Sequence, residues 1–544
     1  MGNDAKRRLA VAAAFLMAAT AGSRVLGLFR EQVMLYYLGL GPAMGAFTVA
    51  FKVPSLIRTL VADTALSAAF IPVFSELLAE ERRKEAWRLV TTVTFCAVVV
   101  LGAISALGVV FAPQVIRVAA PGFYNAETID TEMIALTIGL TEVMFPTVML
   151  LGVTGIFMGV LNSYDHFTLP ALAPILWNVI IIASVVFFAG DATDLHGFYV
   201  LAWGTVIGTV AQLAIQVPAV WRRRERGGLR LDFRHPALKQ VARLLGPVML
   251  TLGIVNFNAL IGTQVASYIS YEAPAYIDKA FRLFQLPQGM FAVAIGTVLF
   301  PTLSRLAAAG RIDDFRSTLS SGVRQIFFVT LPFSAFFVVL GVPTVRLVFQ
   351  HGKVVPEDTA AVAWALAFFS VGMAFVSANT LLNRAFYGIQ KAWLPLIVGV
   401  GNLILYTTLA VLLYKPLGVG GITFATSVVS VFNFFGLTFL LRREIGRVDG
   451  RRTAISVFRS VVALFPLAAA GYGSWWVADA WLGRSVLGQL VSVSAGYAVG
   501  LAAYVLAARM LRMDELGQVV GVIRRRREPR DLRGVAPLED ADQG

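Results

Sequence analysis

The chain has 544 residues, 57% of them hydrophobic and only 14% charged, with a mean hydropathy of +0.74. A soluble protein carries about a quarter charged residues, so a soluble globular fold is excluded and the class is an all-α polytopic membrane protein. The net charge of +14 does not call for nucleic acid, because the basic residues stand between apolar segments as the positive-inside rule requires.

Lys6, Arg7 and Arg8 precede an apolar stretch that resembles a signal peptide. The apolar pattern runs well past residue 20 without a cleavage site, so the expectation is an uncleaved first helix over about residues 9–38. The stretch "SRVLGLFREQ" (23–32) places Ser23, Arg24, Arg30 and Glu31 inside it. A second helix, about 44–78, carries Lys52, Arg58 and Asp63. Spanning the hydrocarbon core takes about 20 apolar residues. The runs that follow are Leu89–Ala112, Met133–Tyr164 (one charge, Glu142), His166–Gly190, Gly197–Val220, Leu244–Tyr271 and Leu283–Ser304. Gln325–Val345, Thr359–Asn383, Trp393–Tyr414, Pro416–Leu441, Ser460–Ala478 and Ser485–Ala508 complete a set of fourteen spans. With the N-terminus in the cytoplasm, the basic connections "ERRKEAWR" (81–88), "RRRERGGLR" (222–230), "SRLAAAGR" (304–311) and "RREIGR" (442–447) all fall inside. The tail, with "RRRR" at 524–527, falls inside as well. Residues 31–51 and 183–221, on the other side, contain no lysine or arginine.

The basic connection 221–243 divides the chain into a lobe of six helices (1–221) and a second lobe of six (222–445). A C-terminal helix pair (446–513) and a charged tail (514–544), expected to be disordered and within reach of anionic headgroups, follow. Two similar halves around a midplane site are the usual transporter arrangement. A faint internal echo fits it: "FIPVFSEL" (70–77) and "LFPTLSRL" (299–306) each close the second helix of a lobe.

Charge inside the bilayer is costly and marks a cavity or a partner. Arg24 and Glu31, seven apart, share a helix face; Arg30 points about 120° away from Arg24. Lys52 and Asp63 share a face of the second helix if Pro54 does not rotate its two parts. Asp278 and Arg282 are four apart in the favourable acid-first order. Asp278 and Lys279 also stand where the eighth span begins, and read equally well as markers of its outer end. Cations (Arg24, Arg30, Lys52, Arg58, Lys279, Arg282) outnumber acids (Glu31, Asp63, Asp278). If they converge, the site favours an anion, and the arginine fork suits phosphate. Glu142, beside Pro146, fits a cavity lining or a local polar pair. Gly22, Gly27, Pro54, Pro146 and Pro287 interrupt the helices and supply hinges. The sequence has no Walker A motif, no Gly-x-Ser-x-Gly elbow and no H-E-x-x-H, and its four histidines show no metal-ligand spacing. The single cysteine, Cys96, excludes an intrachain disulfide.

At "SRVLGLFRE" (23–31), "AFKVPSLIRTLVADTALSAAFIPVFSE" (50–76), "APGF" (120–123), "MFP" (144–146), "VLNSYDHFTLPALAPILWN" (160–178), "RLFQLPQG" (282–289), "GTVLFPTLS" (296–304) and "FQHGK" (349–353) the sequence resembles the MurJ/MviN family of lipid II flippases. That family lies within the superfamily of multidrug, oligosaccharidyl-lipid and polysaccharide exporters. The resemblance spans about residues 8–445, and the final helix pair fits it. It implies a non-enzymatic carrier of the bacterial plasma membrane, with both termini cytoplasmic. The cargo would be lipid II, the undecaprenyl-diphosphate-linked disaccharide-pentapeptide, moved to the outer leaflet by alternating access. It places substrate-binding roles on Arg24, Arg30, Lys52, Arg58, Asp63 and Arg282, with Ser23, Glu31, Glu142, Asp278 and Asn402 as cavity or coupling residues. No metal or cofactor is implied. The membrane potential is the expected drive, with sodium or proton coupling open; membrane lipids and cell-wall synthesis proteins are the expected partners. The sequence departs from the family at Gly45, where an aspartate is common, and at Phe281, where an acid commonly precedes the helix-8 arginine. Gly262 and Tyr406 stand where sodium ligands occur in some relatives. Another polyprenyl-linked oligosaccharide flippase, a multidrug exporter or a transport-inactive cell-wall scaffold are the alternatives. A cationic-drug exporter predicts acids in excess, and a scaffold predicts loss of the arginines.

Overall fold

The computed structural model describes residues 3–59, 67–125, 129–190, 195–225, 230–391, 393–447 and 449–518. These residues are almost wholly helical, with no strand among them. The chain opens with α1 (Asn3–Leu38), α2 (Pro42–Arg58), α3 (Ser67–Ala79), α4 (Arg83–Val110) and the short α5 (Ala112–Ala119). Next come α6 (Thr131–Met144), α7 (Pro146–Ser163), α8 (Thr168–Phe188), α9 (His196–Ala214), α10 (Val217–Arg222) and α11 (Pro236–Ser267). α12 (Ala273–Pro287) leads through a π-helical turn, Gln288–Ala292, into α13 (Val293–Ala308) and α14 (Ile312–Val339). The remainder is α15 (Gly341–Phe349), α16 (Pro356–Val371), α17 (Met373–Gly388), α18 (Leu394–Leu417), α19 (Val419–Ile445), α20 (Gly450–Leu482) and α21 (Val486–Met510).

Local chemistry explains the helix ends. Asp130 Oδ1 accepts from the amides of Glu132 and Met133 and starts α6; Ser485 Oγ accepts from Gly488 N and starts α21. Proline at the first helical position opens α2, α7, α11 and α16, and at the second α5, where its missing N–H costs nothing. Buried hydroxyls return to the carbonyl one turn back, as in Thr137 to Met133 O, Thr205 to Leu201 O and Thr330 to Ile326 O. Polar residues thereby sit in an apolar phase with their hydrogen bonds satisfied inside the helix.

Ten helical segments among the described residues are long and apolar enough to cross a membrane, and eleven if α16 and α17, bent by 48°, form one span. The other three of the fourteen expected spans fall on α1, on α2 with α3, and on α11. These carry internal charges or undescribed residues, so length and apolarity alone do not reach fourteen. Helix ends differ from the apolar runs in several places; α14, for one, stops at Val339 rather than Val345, because Gly341 and Pro343 begin a separate short helix.

The helices form two compact units. Unit 1 comprises Met1–Leu286, Leu340–Met373 and Ala392–Leu437; unit 2 comprises Pro287–Val339, Ala374–Lys391 and Thr438–Gly544. In unit 1, α3, α4 and α7 share an apolar core built on Phe70, Phe74, Trp87 and Ile156. The basic connection after α10 docks there: Asp232 N donates to Thr92 Oγ1, and His235 Nδ1 accepts from Ala237 N to cap α11. In unit 2, α20 and α21 pack together and α14 packs against α20. Tyr504 donates to Phe328 O from a fully buried position. At the unit 2 ends of these helices, Arg324 pairs with Glu515 at 3.0 Å and donates to Ser320 Oγ. The side chains of that pair are 7% and 5% exposed, which ties residues 514–518 to α14. Replacing Arg324 with alanine strands the Glu515 carboxylate in a buried position, and breaking such a pair costs about 3 kcal/mol or more. The expected outcome is a lowered unfolding midpoint of the purified protein in detergent, with Glu515→Gln/Arg324→Met less affected than Arg324→Ala.

Candidate functional site

The charges of α1 and α12 meet inside unit 1. Glu31 is the hub. One of its oxygens accepts from Arg30 Nη2 at 2.5 Å and lies 3.2 Å from Arg282 Nη1; the other accepts from Lys279 Nζ. Asp278 takes Arg282 Nε at 2.9 Å and Lys279 Nζ at 3.5 Å. Glu31 is 1% exposed and Lys279 2%, so neither reaches water or an interface. A carboxylate in such surroundings stays ionised only because three cations surround it.

Arg30 is steered by α8. Its Nη1 donates to Asn178 Oδ1 at 3.1 Å, and its guanidinium lies 4.7 Å from the Trp177 ring centre. Asn178 is itself fixed by donating to Pro174 O, the carbonyl one turn back. Arg30 is therefore sealed on all sides. Arg282 and Asp278 differ: their side chains are 34% and 22% exposed. They form the open lip of a cluster whose floor is Glu31, Lys279 and Arg30. Among the described residues, three cations face two carboxylates here, an excess of one positive charge. Lys52, half-buried on α2, acts on Asp278 through space and forms no ion pair among the described residues.

The structure thus brings together Arg30, Glu31, Asp278 and Arg282. Arg24 stands apart, exposed, about 9 Å along α1 from Arg30. Ser23 and Arg58 are half-buried on α1 and α2. Asp63 lies outside the described residues. Glu142 is exposed on α6. Asn402 is on α18, with its Oδ1 buried. Beside it in the fold, Gly262 meets the Tyr406 side chain: a Cβ there would lie 2.5 Å from the tyrosine hydroxyl. The sequence named Lys279 only as a charge and offered two readings of Asp278 and Lys279, converging charges or the outer end of a span. α12 starts at Ala273, a turn and a half earlier, and the two residues stand within it as members of the charge cluster. Asn178 and Trp177 went unnoticed as neighbours of Arg30; the only signal available was their place in "ILWN", with no spacing that links them to α1.

The two departures from the family pattern have physical explanations. Phe281 stacks on Phe284 and Phe369, at 5.9 and 5.7 Å between ring centres. The position is aromatic packing, and Asp278 supplies the carboxylate to Arg282 from one turn earlier. At Gly45, a Cβ would lie 1.7 Å from the Tyr271 carbonyl oxygen, so the start of α2 touches the backbone of residues 271–272. This contact belongs to a seal at one end of unit 1. Gly122 N donates to Ser267 Oγ, Gln264 Nε2 to Val118 O, and Tyr271 OH to Phe123 O. Lys353 N donates to Tyr36 O, and Gln32 Nε2 to Val348 O. Gly352, at φ +62°, lies so close to Tyr36 that a Cβ would come within 2.2 Å of its carbonyl oxygen.

Comparison with known proteins follows the same direction. The family model described as lipid II flippase MurJ matches residues 34–506, beginning just after Arg30 and Glu31. A Burkholderia cenocepacia protein named lipid II flippase MurJ is 30% identical over 427 residues, covering 78% of this chain and 81% of its own. A Rhizobium meliloti protein named probable lipid II flippase MurJ is 32% identical, covering 85% of each. Among solved structures, a lipid II flippase MurJ in an inward closed conformation superposes with a TM-score of 0.73 at 21% identity, over 91% of this chain and 99% of its own. An inward-facing multidrug-resistance transporter of the MATE family superposes at 0.65 with 16% identity, over 78% and 96%. The last two likenesses establish the fold.

Gly45→Ala drives a methyl group into the Tyr271 carbonyl and should open the seal. In a Cys96→Ala, Ser267→Cys background, a membrane-impermeant thiol reagent added from outside should label the Gly45→Ala protein faster than its parent.

Proposed function

This chain belongs to the MurJ family, and on that premise we propose that it carries lipid II from the cytoplasmic to the outer leaflet of the bacterial plasma membrane, with the α1–α12 charge cluster receiving the diphosphate. The observation that carries this reading is the excess of cation over carboxylate around a half-open Arg282. A buried cluster whose charges already cancel has no use for an anion; this one keeps a positive remainder at its accessible lip. The arginine fork can give two parallel hydrogen bonds to phosphate oxygens once Asp278 lets go, a geometry lysine does not offer. Arg24, exposed about two turns nearer the N-terminus, lies on the route of a headgroup that enters from the cytoplasm. Lys52 and Arg58 on α2 complete the cationic lining.

In this reading both termini are cytoplasmic. The lobes 1–221 and 222–445 then alternate, and the lipid tail stays in the bilayer along the C-terminal helix pair. The π-helical turn after Pro287 sits in the same helical run as Arg282 and gives that run a place to bend. No bond is made or broken. An inside-negative membrane potential drives the anion outward and draws the empty cationic site back, each charge that crosses the whole field being worth about 2.3 kcal/mol per 100 mV. A carrier of cationic drugs would need the opposite excess of charge.

Two outcomes test this. Arg282→Ala should abolish lipid II movement in reconstituted vesicles while the protein still folds, and Arg282→Lys should restore little of it; full activity of the alanine variant would remove the assignment. Collapsing the membrane potential should slow the outward movement catalysed by the unmodified protein.

A further inference from the structure

Lys279 is unusual for a membrane interior: a lysine 2% exposed, on the second turn of α12, in contact with two carboxylates of different accessibility. A long-stemmed cation normally snorkels toward water. Here the ammonium is held by the buried Glu31 and reaches Asp278 at the open lip. Lys279 has no exposed surface from which to touch a headgroup, so its effect passes through its neighbours.

Those neighbours define that effect. Without Lys279, Arg30 and Arg282 would face Glu31 and Asp278 two against two, and the paired cluster would be neutral. Glu31 would also lose one of its three donors, and Arg282, already 3.2 Å away, is the partner free to move closer. Both changes act in one direction: the net positive charge falls, and the guanidinium at the lip is drawn down onto Glu31. We infer that Lys279 is a positioning residue that occupies Glu31 and thereby leaves Arg282, with a net positive charge, available to the diphosphate. This deepens the function proposed above and rests on it.

The inference makes the loss of Lys279 a fault of charge balance that a second neutral substitution repairs. In the double variant Glu31→Gln/Lys279→Met, Arg30 and Arg282 face Asp278 alone, and the excess of one positive charge returns. A merely structural role for the Lys279–Glu31 pair also predicts a less disturbed double variant, since removing one partner strands the other, but it shows in the unfolding midpoint and leaves KM unmoved.

The test is lipid II transport by the full chain in reconstituted vesicles, with KM and kcat determined for the unmodified protein, Lys279→Met, Lys279→Arg, Glu31→Gln/Lys279→Met and Arg282→Ala. Lys279→Met should raise KM roughly tenfold, the equivalent of about 1.4 kcal/mol, with a smaller effect on kcat. Lys279→Arg should stay near the unmodified protein, and the double variant should recover most of the lost affinity. A double variant no better than Lys279→Met, or an unchanged KM in Lys279→Met, overturns the inference. If Lys279→Met does not fold, the double variant decides alone: near-normal KM supports the inference and a KM raised tenfold overturns it. Normal transport by Arg282→Ala overturns the reading of the site itself, whereas its inactivity together with an unaffected Lys279→Met overturns only the role given to Lys279.

Discussion

Everything distinctive in this molecule depends on one buried carboxylate. Glu31 sits in the interior of unit 1 and survives there as an anion because Arg30, Lys279 and Arg282 all turn toward it. A charge so placed is far too costly to leave alone, so the carboxylate fixes the register of α1 against α12. It also determines which cations are spent on structure and which remain for a ligand. Arg30 is spent, held by Glu31, Asn178 and the Trp177 face. Arg282 is shared between Glu31 and the more exposed Asp278. On the proposed function, a phosphate would compete for a guanidinium that is itself partly exposed, as is its Asp278 partner, and exchanging one anion for another there costs less than stripping a cation from a sealed pair.

The fold class was legible from composition, because no soluble chain of this length is so apolar. The apolar runs also predicted most helices. The end of α14 follows from Gly341 and Pro343, but the start of α12 depends on where a neighbour covers the chain, and hydropathy does not record neighbours. Asp278 and Lys279 look like an interface marker when judged by their polarity, yet Lys279 lies inside because Glu31, nearly 250 residues earlier, compensates it, and Asp278 stands beside it paired with Arg282. The i,i+4 spacing of Asp278 and Arg282 did predict their pairing, since that contact lies within one helix. The link of Arg282 to α1 is tertiary and left no mark on local spacing. The same holds for Asn178 and Trp177.

Both departures from the family pattern are local substitutions of one physical solution for another. At Phe281 the chain trades a charge for ring stacking against Phe284 and Phe369 and moves the carboxylate one turn back, to Asp278. At Gly45 it trades a side chain for contact between backbones. A hydrogen-bonding side chain can hold a seal across a small gap, whereas a glycine contact closes only when the two backbones meet.

The seal and the cluster are neighbours, and this proximity bears on how closure at one end and affinity at the other are linked. α12 carries Lys279 and Arg282 and begins at Ala273, two residues after the Tyr271 carbonyl that meets Gly45. Tyr276, one turn before the charged pair, donates to Asp358 on α16. Any movement that lifts Tyr271 off α2 must therefore shift the start of α12, and with it the residues that crowd Glu31. Conversely, on the proposed function, a phosphate that drew Arg282 off Glu31 would loosen α12 from α1 beside the same seal. Opening at the far end and occupation of the site thus bias a single helix. A carrier needs such a shared element if its gate is to respond to cargo rather than open at random.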